Sequence, residues 1–569
     1  MKKFVFLSFL LFLSSFVVAC AGGLPQDKVS GNEAEPPGRF VRAEKYGQFI
    51  DVNKSVDCNG TLVTIEKILL DKTGTFMIAS VEGDIRGKID PLNVKLFDGQ
   101  DRNLGWNSFL QEYPAKLPGD KTLLTFVPLE SAQASLRLEF SGGPVEYGSG
   151  PVILDLKDIK LKTVDHKYVR AYQLSELVEK NGYRLLVDTI TSGISEAQIH
   201  YKLTARGGYD GVVHGWLYEW YNNYSPKGER LAMYDGGRKL EMHLSSINCL
   251  GPYYRVSLDG TTAVGRANFD ALKTHNMQLS LTDVYGYYSM DQTIHLEEVM
   301  ETVSIDKKIP VKDYTVCLNS LVKEDDETRT LDYIVLDSAG NRVDAVIDAC
   351  IYKGAHNYKM PVTFSRRFKD APGGDRRLVM SWPAGESKDI LAQRPVLKIT
   401  RLGFIQEDAV LDINLDNPQK RPDNRDEKAV MAAVNDYYKT MGDALVNDDP
   451  AAFEKNYGYL EPTGNSGDGV NGWRWLFDIL RPQGVKEYRV SFNEPIVTVA
   501  GNTATADLDG VETVFRKRDK GKMPPFPYST LRNGERSARN FKAVFYLEKE
   551  RDKWKVTKVD EFTEEEKAL

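Results

Sequence analysis

Three stretches of the chain repeat one pattern of short apolar runs, and this repeat limits the possible folds more than any other feature. The copies begin near Asn59, Asn181 and Asp313, so the repeat length is roughly 120 to 130 residues, the size of a domain. Within each copy, apolar and polar residues alternate over short runs that turn-forming residues separate. Such alternation is typical of β-strands, so residues 45–417 are predicted to form repeated all-β domains.

Domains of this size that consist of short strands favour an immunoglobulin-like β-sandwich. We therefore predict three tandem sandwiches, at residues 45–162, 163–302 and 303–417. The repeat resembles the tandem Ig-like domains of uncharacterised cell-envelope proteins in Gram-positive bacteria, over about two thirds of the chain. This resemblance implies a spacer or adhesion stalk, and the family supplies no known catalytic residues.

The C-terminal part has a different order of elements. Residues 418–428 hold prolines among charged and amide residues, which predicts a linker before a last domain at 429–569. That domain begins with an apolar stripe at helical spacing, formed by Val430, Val434, Tyr437, Met441 and Leu445. Strand-like runs follow, and helices followed by antiparallel strands indicate an α+β domain. The predicted fold class is thus mostly β, with three sandwiches followed by an α+β domain.

Three local motifs give this last domain a family resemblance. They are the Tyr437-Tyr438 helix followed by residues 447–449, the strand turn at 499–505, and the final hairpin that reaches 553–556. Residues 428 to 562 resemble the nuclear transport factor 2-like (NTF2-like) fold, which is also seen in SnoaL-like proteins. The resemblance implies a cone with a mouth between helices and sheet. Some relatives are isomerases, dehydratases or cyclases that use an Asp or His base inside the cone.

The sequence offers few catalytic candidates for such a cone. All seven histidines lie before residue 429. The conceivable acids are Asp436, Asp478 and Asp507, with Tyr437, Tyr488 or Tyr546 as partners. A solvated helix face explains Asp436 and Asp478 equally well. The chain has no HExxH, GxSxG or phosphate-loop motif, so we expect no enzymatic activity and predict no catalytic residue.

Aromatic residues form the candidate ligand surface. Trp216, Tyr218 and Trp220 alternate along one predicted strand, and Trp473 and Trp475 lie on a predicted helix of the last domain. Exposed aromatic rows can stack on sugar rings or contact a protein partner. The alternative is core packing, because a sandwich core also takes large aromatic residues at inward positions.

The first twenty residues have the order of a lipoprotein signal peptide. A basic start at Lys2 and Lys3 precedes an apolar run at 4–18, which is too short for a comfortable membrane span. The run ends in Val17-Val18-Ala19-Cys20, which resembles a bacterial lipobox. The resemblance implies that the Cys20 thiol receives a diacylglycerol and that the chain is cut before it. The alternatives are an ordinary signal peptide and an uncleaved anchor.

The segment after Cys20 supports a location outside the cytoplasm. Residues 21–44 are polar and rich in Gly and Pro, which is typical of a flexible tether. A lipid-bearing Cys20 followed by a tether places the folded body on the extracytoplasmic face of the cell membrane. In a diderm cell, Ala21 after the cysteine points to the outer membrane instead.

Cysteine spacing and net charge limit the classes of ligand and partner that the chain is expected to bind. If Cys20 is lipidated, four cysteines remain and none forms a CxxC pair, so we predict no zinc site and no other metal or cofactor. Cys317 and Cys350 lie in one predicted domain and are the candidate disulfide pair, and the alternative is that all four cysteines are small buried or surface thiols. With 74 basic and 81 acidic residues the formal net charge is −7, so we expect no nucleic-acid partner.

These observations predict a non-enzymatic, lipid-anchored envelope protein. Its sandwiches form a stalk, its last domain binds a ligand or partner, and an envelope glycan or envelope protein is the expected partner. The alternative is a surface enzyme that uses the cone pocket as an isomerase, dehydratase or hydrolase. A sensor ectodomain is disfavoured, because a lipid anchor has no cytoplasmic segment that could transmit a signal.

Overall fold

A computed structural model describes most of the chain. The described residues are 40–83, 92–99, 103–108, 116–117, 121–129, 135–142, 145, 151–214, 230–243, 253–257, 259–296, 302–325, 328–352, 365–370, 376–381, 395–416, 425–460, 473–480, 484–492, 495–516, 529–530 and 536–563. Antiparallel sheets dominate these residues, so the prediction of a mostly β chain is confirmed. None of the described helices is long and apolar enough to span a bilayer.

The first pair of sheets follows a short helix, α1 (Val41–Lys45), and encloses one apolar core. One sheet has the strand order β1-β2-β3-β7-β6, and the other has the order β5-β4-β8-β9. The strands are β1 (Ile50–Asp57), β2 (Leu62–Asp71), β3 (Gly74–Glu82), β4 (Asn93–Asp98), β5 (Asn103–Ser108), β6 (Lys116–Leu117), β7 (Lys121–Phe126), β8 (Leu136–Ser141) and β9 (Val152–Asp155).

The second pair of sheets also encloses one core. One sheet has the order β10-β11-β12-β18-β16, with β17 also paired to β18, and the other has the order β15-β14-β19-β28. The strands are β10 (Arg170–Glu179), β11 (Tyr183–Ser192), β12 (Glu196–Ala205), β14 (Leu231–Asp235), β15 (Arg238–Lys239), β16 (Met242–His243), β17 (Tyr253–Val256), β18 (Thr262–Asp270), β19 (Asn276–Leu281) and β28 (Ala409–Asn414).

The third pair of sheets takes strands from both sides of residue 302. Its sheets have the orders β13-β20-β27-β24 and β21-β22-β23-β26-β25. The strands are β13 (Gly211–His214), β20 (Val284–His295), β21 (Val303–Val311), β22 (Tyr314–Lys323), β23 (Thr328–Asp337), β24 (Val346–Tyr352), β25 (Ser365–Asp370), β26 (Arg376–Ser381) and β27 (Val396–Ile405).

Each pair of sheets contains the same three-strand meander, which corresponds to the sequence repeat. The register shifts at matching places, between Ile65 and Lys67 in β2, between Val187 and Thr189 in β11, and between Leu318 and Ser320 in β22. A β-bulge puts an extra residue on one strand and changes which residues face inward. Core residues therefore recur three positions apart across each bulge, as in the pairs Ile65 and Ile68, Val187 and Ile190, and Leu318 and Leu321.

The predicted boundary between 302 and 303 does not separate the sheets. Strand β28 comes from the predicted third sandwich and pairs with β19 in the second pair of sheets. Strands β13 and β20 come from the predicted second sandwich and join β27 and β24 in the third. The two pairs of sheets therefore exchange strands, which joins them more tightly than a linker joins two consecutive domains.

The C-terminal unit packs helices against one face of a six-stranded antiparallel sheet. Its first helix begins at Arg425, within the segment predicted as a linker. The helices are α2 (Arg425–Asn447), α3 (Pro450–Tyr457) and α4 (Trp473–Leu480), and the strands are β29 (Val485–Phe492), β30 (Ile496–Ala500), β31 (Thr503–Arg516), β32 (Ser529–Thr530), β33 (Arg536–Glu550) and β34 (Lys553–Thr563).

A buried carboxylate joins the first and second pairs of sheets. Asp71 ends β2, and its Oδ2 accepts hydrogen bonds from Ser195 N at 3.1 Å and Ser195 Oγ at 2.6 Å. Burial raises the pKa of Asp71, while the hydrogen bonds from Ser195, Lys72 and Ile194 oppose that rise. Gly193 is required beside it, because a Cβ there would lie 2.3 Å from Asp71 Oδ2. An apolar cluster at the same junction contains Phe40, Ala43, Leu69, Phe76, Leu123, Val164 and Ile194.

Asp71→Ala is expected to destabilise this junction by about 1–3 kcal/mol, because buried N–H donors of Ser195 and Ile194 would lose their acceptor. The urea midpoint of the purified chain measures the loss. Ser195→Ala removes only the hydroxyl bond and serves as the milder companion variant. An unchanged midpoint in Asp71→Ala would contradict a structural role for this carboxylate.

Candidate functional site

The interior of the C-terminal unit, between its sheet and its helices, holds a buried carboxyl group. Alternate residues of β31 face this interior, and Leu508 and Val514 belong to its apolar core. Glu512 follows the same alternation, and none of its surface is exposed. A buried acid in an apolar interior is costly unless other groups bond to it.

Tyr488 provides one such bond. Its hydroxyl donates to Glu512 Oε1 at 2.5 Å. The two residues meet because β29 pairs with β31 so that Tyr488 lies opposite Val514 and Val490 lies opposite Glu512. Helix α2 leaves room for the Tyr488 ring at Gly442, where a Cβ would lie 3.0 Å from Tyr488 Cδ1.

Aromatic rings form the wall beside this pair. The ring of Tyr438 on α2 lies 5.5 Å from that of Phe492, 5.8 Å from Phe541 and 5.5 Å from Phe545, measured between centroids. Aromatic pairs at these separations attract each other and keep the rings in fixed orientations. Among the described residues, the interior therefore combines the Glu512 carboxyl group, the Tyr488 hydroxyl bonded to it and a rigid aromatic wall.

Trp473 belongs to the core and not to a ligand surface. It is 6 % exposed and packs on Phe453, with ring centroids 5.4 Å apart. Phe453 lies on the preceding helix, α3. That helix begins at Pro450, and Asp449 caps it by accepting a hydrogen bond from Ala452 N. The candidate assignment of Trp473 is therefore corrected to core packing. Trp475 lies on the same helix, α4, and its side chain is outside the described residues.

The three acids proposed from the sequence do not enter the interior. Asp436 and Asp478 are exposed on their helices, and Asp436 Oδ2 accepts from the hydroxyl of Tyr457 at 2.9 Å. Asp507 lies on the outer face of the sheet, where its Oδ1 accepts from Arg255 Nη2 at 2.8 Å.

The proposed tyrosine partners divide between the two faces. Tyr437 is buried in the core, Tyr488 reaches the interior, and Tyr546 is 36 % exposed. Sequence reasoning missed Glu512. The alternation of Ala504, Ala506 and Leu508 extends to this residue and could have identified it.

The other candidate ligand residues lie elsewhere. Trp216, Tyr218 and Trp220 fall outside the described residues, as does Cys20. Among the described residues, no group of three His, Cys, Asp or Glu side chains could hold a metal ion.

The predicted disulfide between Cys317 and Cys350 is not formed. Cys317 lies on β22 between Val316 and Leu318, which both belong to the core of the third pair of sheets. Cys350 lies between core residues of β24, which is in the opposite sheet. Successive side chains of a strand point to opposite faces, so both thiols point away from the shared core and away from each other.

The pair of Glu512 and Tyr488 has two chemical uses. A carboxylate that accepts from a phenol can anchor a hydrogen-bonding ligand, and the aromatic wall can pack on the apolar part of that ligand. The same two groups can exchange a proton with a bound molecule.

Comparison with known proteins gives distant structural similarities only. No protein-family model matches the chain. No curated protein matches it either. A conserved domain protein from Bacillus anthracis matches 51 % of this chain and 91 % of its own length, with 14 % identity and a TM-score of 0.29.

Solved NTF2-like proteins match about a quarter of the chain. One from Salmonella enterica serovar Typhimurium covers 24 % of this chain and 92 % of its own, with 14 % identity and a TM-score of 0.17. A hexachlorocyclohexane dehydrochlorinase covers 25 % of this chain and 90 % of its own, with 14 % identity and a TM-score of 0.18. Similarities this distant carry no argument about activity.

Proposed function

We propose that the chain is a lipid-anchored extracytoplasmic envelope protein without enzymatic activity. In this proposal, three Ig-like sandwiches form a stalk on the membrane, and the NTF2-like C-terminal domain binds an envelope glycan or an envelope protein in its interior. The observation that carries the proposal is the hydrogen bond between the buried Glu512 and the partly buried Tyr488 beside the aromatic wall. Glu512 lies between Leu508 and Val514 on the inward face of β31, and an acid among apolar side chains is costly to bury unless polar groups such as the Tyr488 hydroxyl bond to it.

The joints between the units support the stalk. Asp71 and its apolar cluster join the first and second pairs of sheets. Strand exchange through β28 and β20 joins the second and third. A spacer must keep its length under thermal motion, and joints with buried contacts give it that stiffness better than bare linkers do.

Co-sedimentation of the full chain with purified cell walls tests the proposed binding. Tyr488→Phe removes one hydroxyl and keeps the ring, and Glu512→Gln removes the negative charge. We expect each to weaken binding about tenfold or more, because a hydrogen bond to a charged group contributes about 1.5–3 kcal/mol. Tyr459→Phe is the matched control, since the Tyr459 hydroxyl bonds to the carbonyl of Val556 and its side chain is half exposed.

The outcomes separate the two candidate surfaces. Full binding by both interior variants would exclude the interior and direct attention to Trp216, Tyr218 and Trp220. No sedimentation of the unmodified chain would exclude the version of the proposal in which the ligand is a wall glycan.

A second candidate function is an enzyme that acts through the same interior. The short contact between Glu512 and Tyr488 favours it, because a carboxylate and a phenol within hydrogen-bond reach can serve as base and acid. Chromatography of cell-wall fragments after incubation with the protein tests this alternative. An enzyme predicts new fragments that Glu512→Gln abolishes, whereas a binding domain predicts an unchanged profile.

A further inference from the structure

The outer face of the C-terminal sheet holds a row of buried residues that the core of this unit does not use. Ile496, Asp507 and Val544 lie opposite one another on β30, β31 and β33. Their exposed fractions are 2 %, 8 % and 6 %. They alternate with interior residues, and neither Ile496 nor Val544 belongs to the interior core. Something on the outer side therefore covers this row.

A second row of three, on the second pair of sheets, covers it. Lys202, Val264 and Arg255 lie opposite one another on β12, β18 and β17. Val264 is 6 % exposed and lies outside the core of its own pair of sheets. Each row thus places apolar and charged side chains on the outer face of a sheet.

Two polar contacts connect the rows. Arg255 Nη2 donates to Asp507 Oδ1 at 2.8 Å and also to the Asp507 carbonyl, and both side chains of this ion pair are 11 % exposed. Lys202 Nζ donates to the carbonyl of Val497 at 3.1 Å. The Tyr546 hydroxyl, at the margin of the same face, has a raised pKa mainly because of burial, and the charge of Asp259 on the second pair of sheets adds to the rise.

The contact also has a cost. Arg255 Nε and Nη1 are buried, and neither nitrogen has a hydrogen-bond acceptor among the described residues. A buried donor without an acceptor loses the free energy of its hydration, and a buried ion pair regains only part of the hydration free energy of its two charges. The apolar contribution comes mainly from Ile496, Val544 and Val264. The unfavourable terms offset part of the apolar contribution, which lowers the free energy needed to open the contact.

We propose that these two rows form a reversible latch between the second pair of sheets and the C-terminal unit, with Arg255 and Asp507 at its centre. The closed latch fixes the direction in which the C-terminal interior faces. The open latch exposes Ile496 and Val544 and releases the C-terminal unit from the second pair of sheets. This inference goes beyond the proposed function, because the latch acts whether or not the interior binds a ligand.

Charge reversal in the full chain tests the latch. Strands β17 and β30 each pair with one described strand, so the backbone amides on the other edge of each strand have no partner in a described sheet. Hydrogen exchange at those amides is expected to depend on whether the two rows are in contact. Hydrogen–deuterium exchange with mass spectrometry measures the protection of residues 253–257 and 496–500. We expect Arg255→Glu or Asp507→Arg alone to weaken docking by roughly thirtyfold or more, which speeds exchange in both peptides. The double variant Arg255→Glu/Asp507→Arg restores an opposite-charge pair and should restore protection.

The control is Arg184→Glu on the same sheet, which breaks only an exposed hairpin pair with Glu179 and should leave both peptides unchanged. Restoration in the double variant also shows that the chain folds with both substitutions present. Unchanged exchange in both single variants overturns the latch. So does protection that depends on protein concentration, because a second copy of the chain would then cover the row. Wall binding through Tyr488 is read out separately, so either proposal can fail alone.

Discussion

Cys20→Ala is expected to abolish lipid attachment and to leave the leader on the chain. If the cysteine thiol is the acylated group, its removal leaves no acceptor for the diacylglycerol. The resemblance to a lipobox also implies that cleavage before residue 20 follows lipidation. The variant should therefore fail to incorporate a palmitate analogue during growth, and its intact mass should still include residues 1–19. We expect complete loss of membrane anchoring, because the variant carries neither acyl chain of the diacylglycerol. Stable anchoring to a membrane takes two such chains.

The same experiment separates the three interpretations of the leader. An ordinary signal peptide predicts an unlabelled wild-type chain that is cut with or without Cys20. An uncleaved anchor predicts a wild-type chain that begins at Met1. Cys58→Ala is the control, since Cys58 is buried in the first pair of sheets and should keep both label and cleavage. A labelled Cys20→Ala variant would contradict the assignment of the lipid to this residue.

Local pattern was enough to predict the strands, because alternation is a property of each strand by itself. The repeats that begin near Asn59, Asn181 and Asp313 start at β2, β11 and β22, the second strands of the meanders in the three pairs of sheets. The bulges also leave a trace in the sequence, since core residues such as Ile65 and Ile68 are three positions apart. The α+β order of the C-terminal part follows in the same way from the stripe on α2. The Ig-like and NTF2-like assignments stay predictions.

Pairing between distant strands could not be predicted, because alternation shows which face of a strand is apolar and not which strand lies beside it. Strand β28 has the pattern of any half-buried strand, so nothing in residues 409–414 indicates β19 as its partner. The face of Asp507 was ambiguous for a related reason. Its burial depends on Arg255, which is distant in sequence and lies in another unit.

The face of a residue within one strand was better determined than the sequence analysis assumed. Cys317 stands between two core residues of β22, so its outward orientation could be inferred from Val316 and Leu318. Glu512 is the converse case, a polar residue at an inward position. Both show that a chemically distinctive residue has to be assigned to a face before it is assigned a role.

Lowering the pH from about 6.5 to 4 is expected to destabilise the chain by about 3 kcal/mol through His214, which ends β13 of the third pair of sheets and contacts Tyr201 of the second. Burial lowers the pKa of this histidine to about 4, and the nearby Arg230 charge adds to the shift, while Asp283 and two backbone hydrogen bonds oppose it. His214 Nε2 donates to the carbonyl of Arg230 at 3.2 Å, and the Tyr201 hydroxyl donates to Nδ1 at 3.0 Å. A second ring proton would break the bond from Tyr201.

The sign follows from the two pKa values. Below about pH 6.5 the unfolded chain takes up a proton at His214 that the folded chain refuses until about pH 4, so acid favours unfolding across this window. Above the window the group contributes no pH dependence. Urea midpoints at several pH values measure the effect. His214→Gln should reduce the slope of the unfolding free energy against pH by the equivalent of about one bound proton. His166→Gln is the control for replacing a histidine as such, because His166 is the exposed first residue of a short 3-10 helix at His166–Tyr168. Equal slopes in the His214→Gln and unmodified chains would show that another group sets the acid limit of this fold.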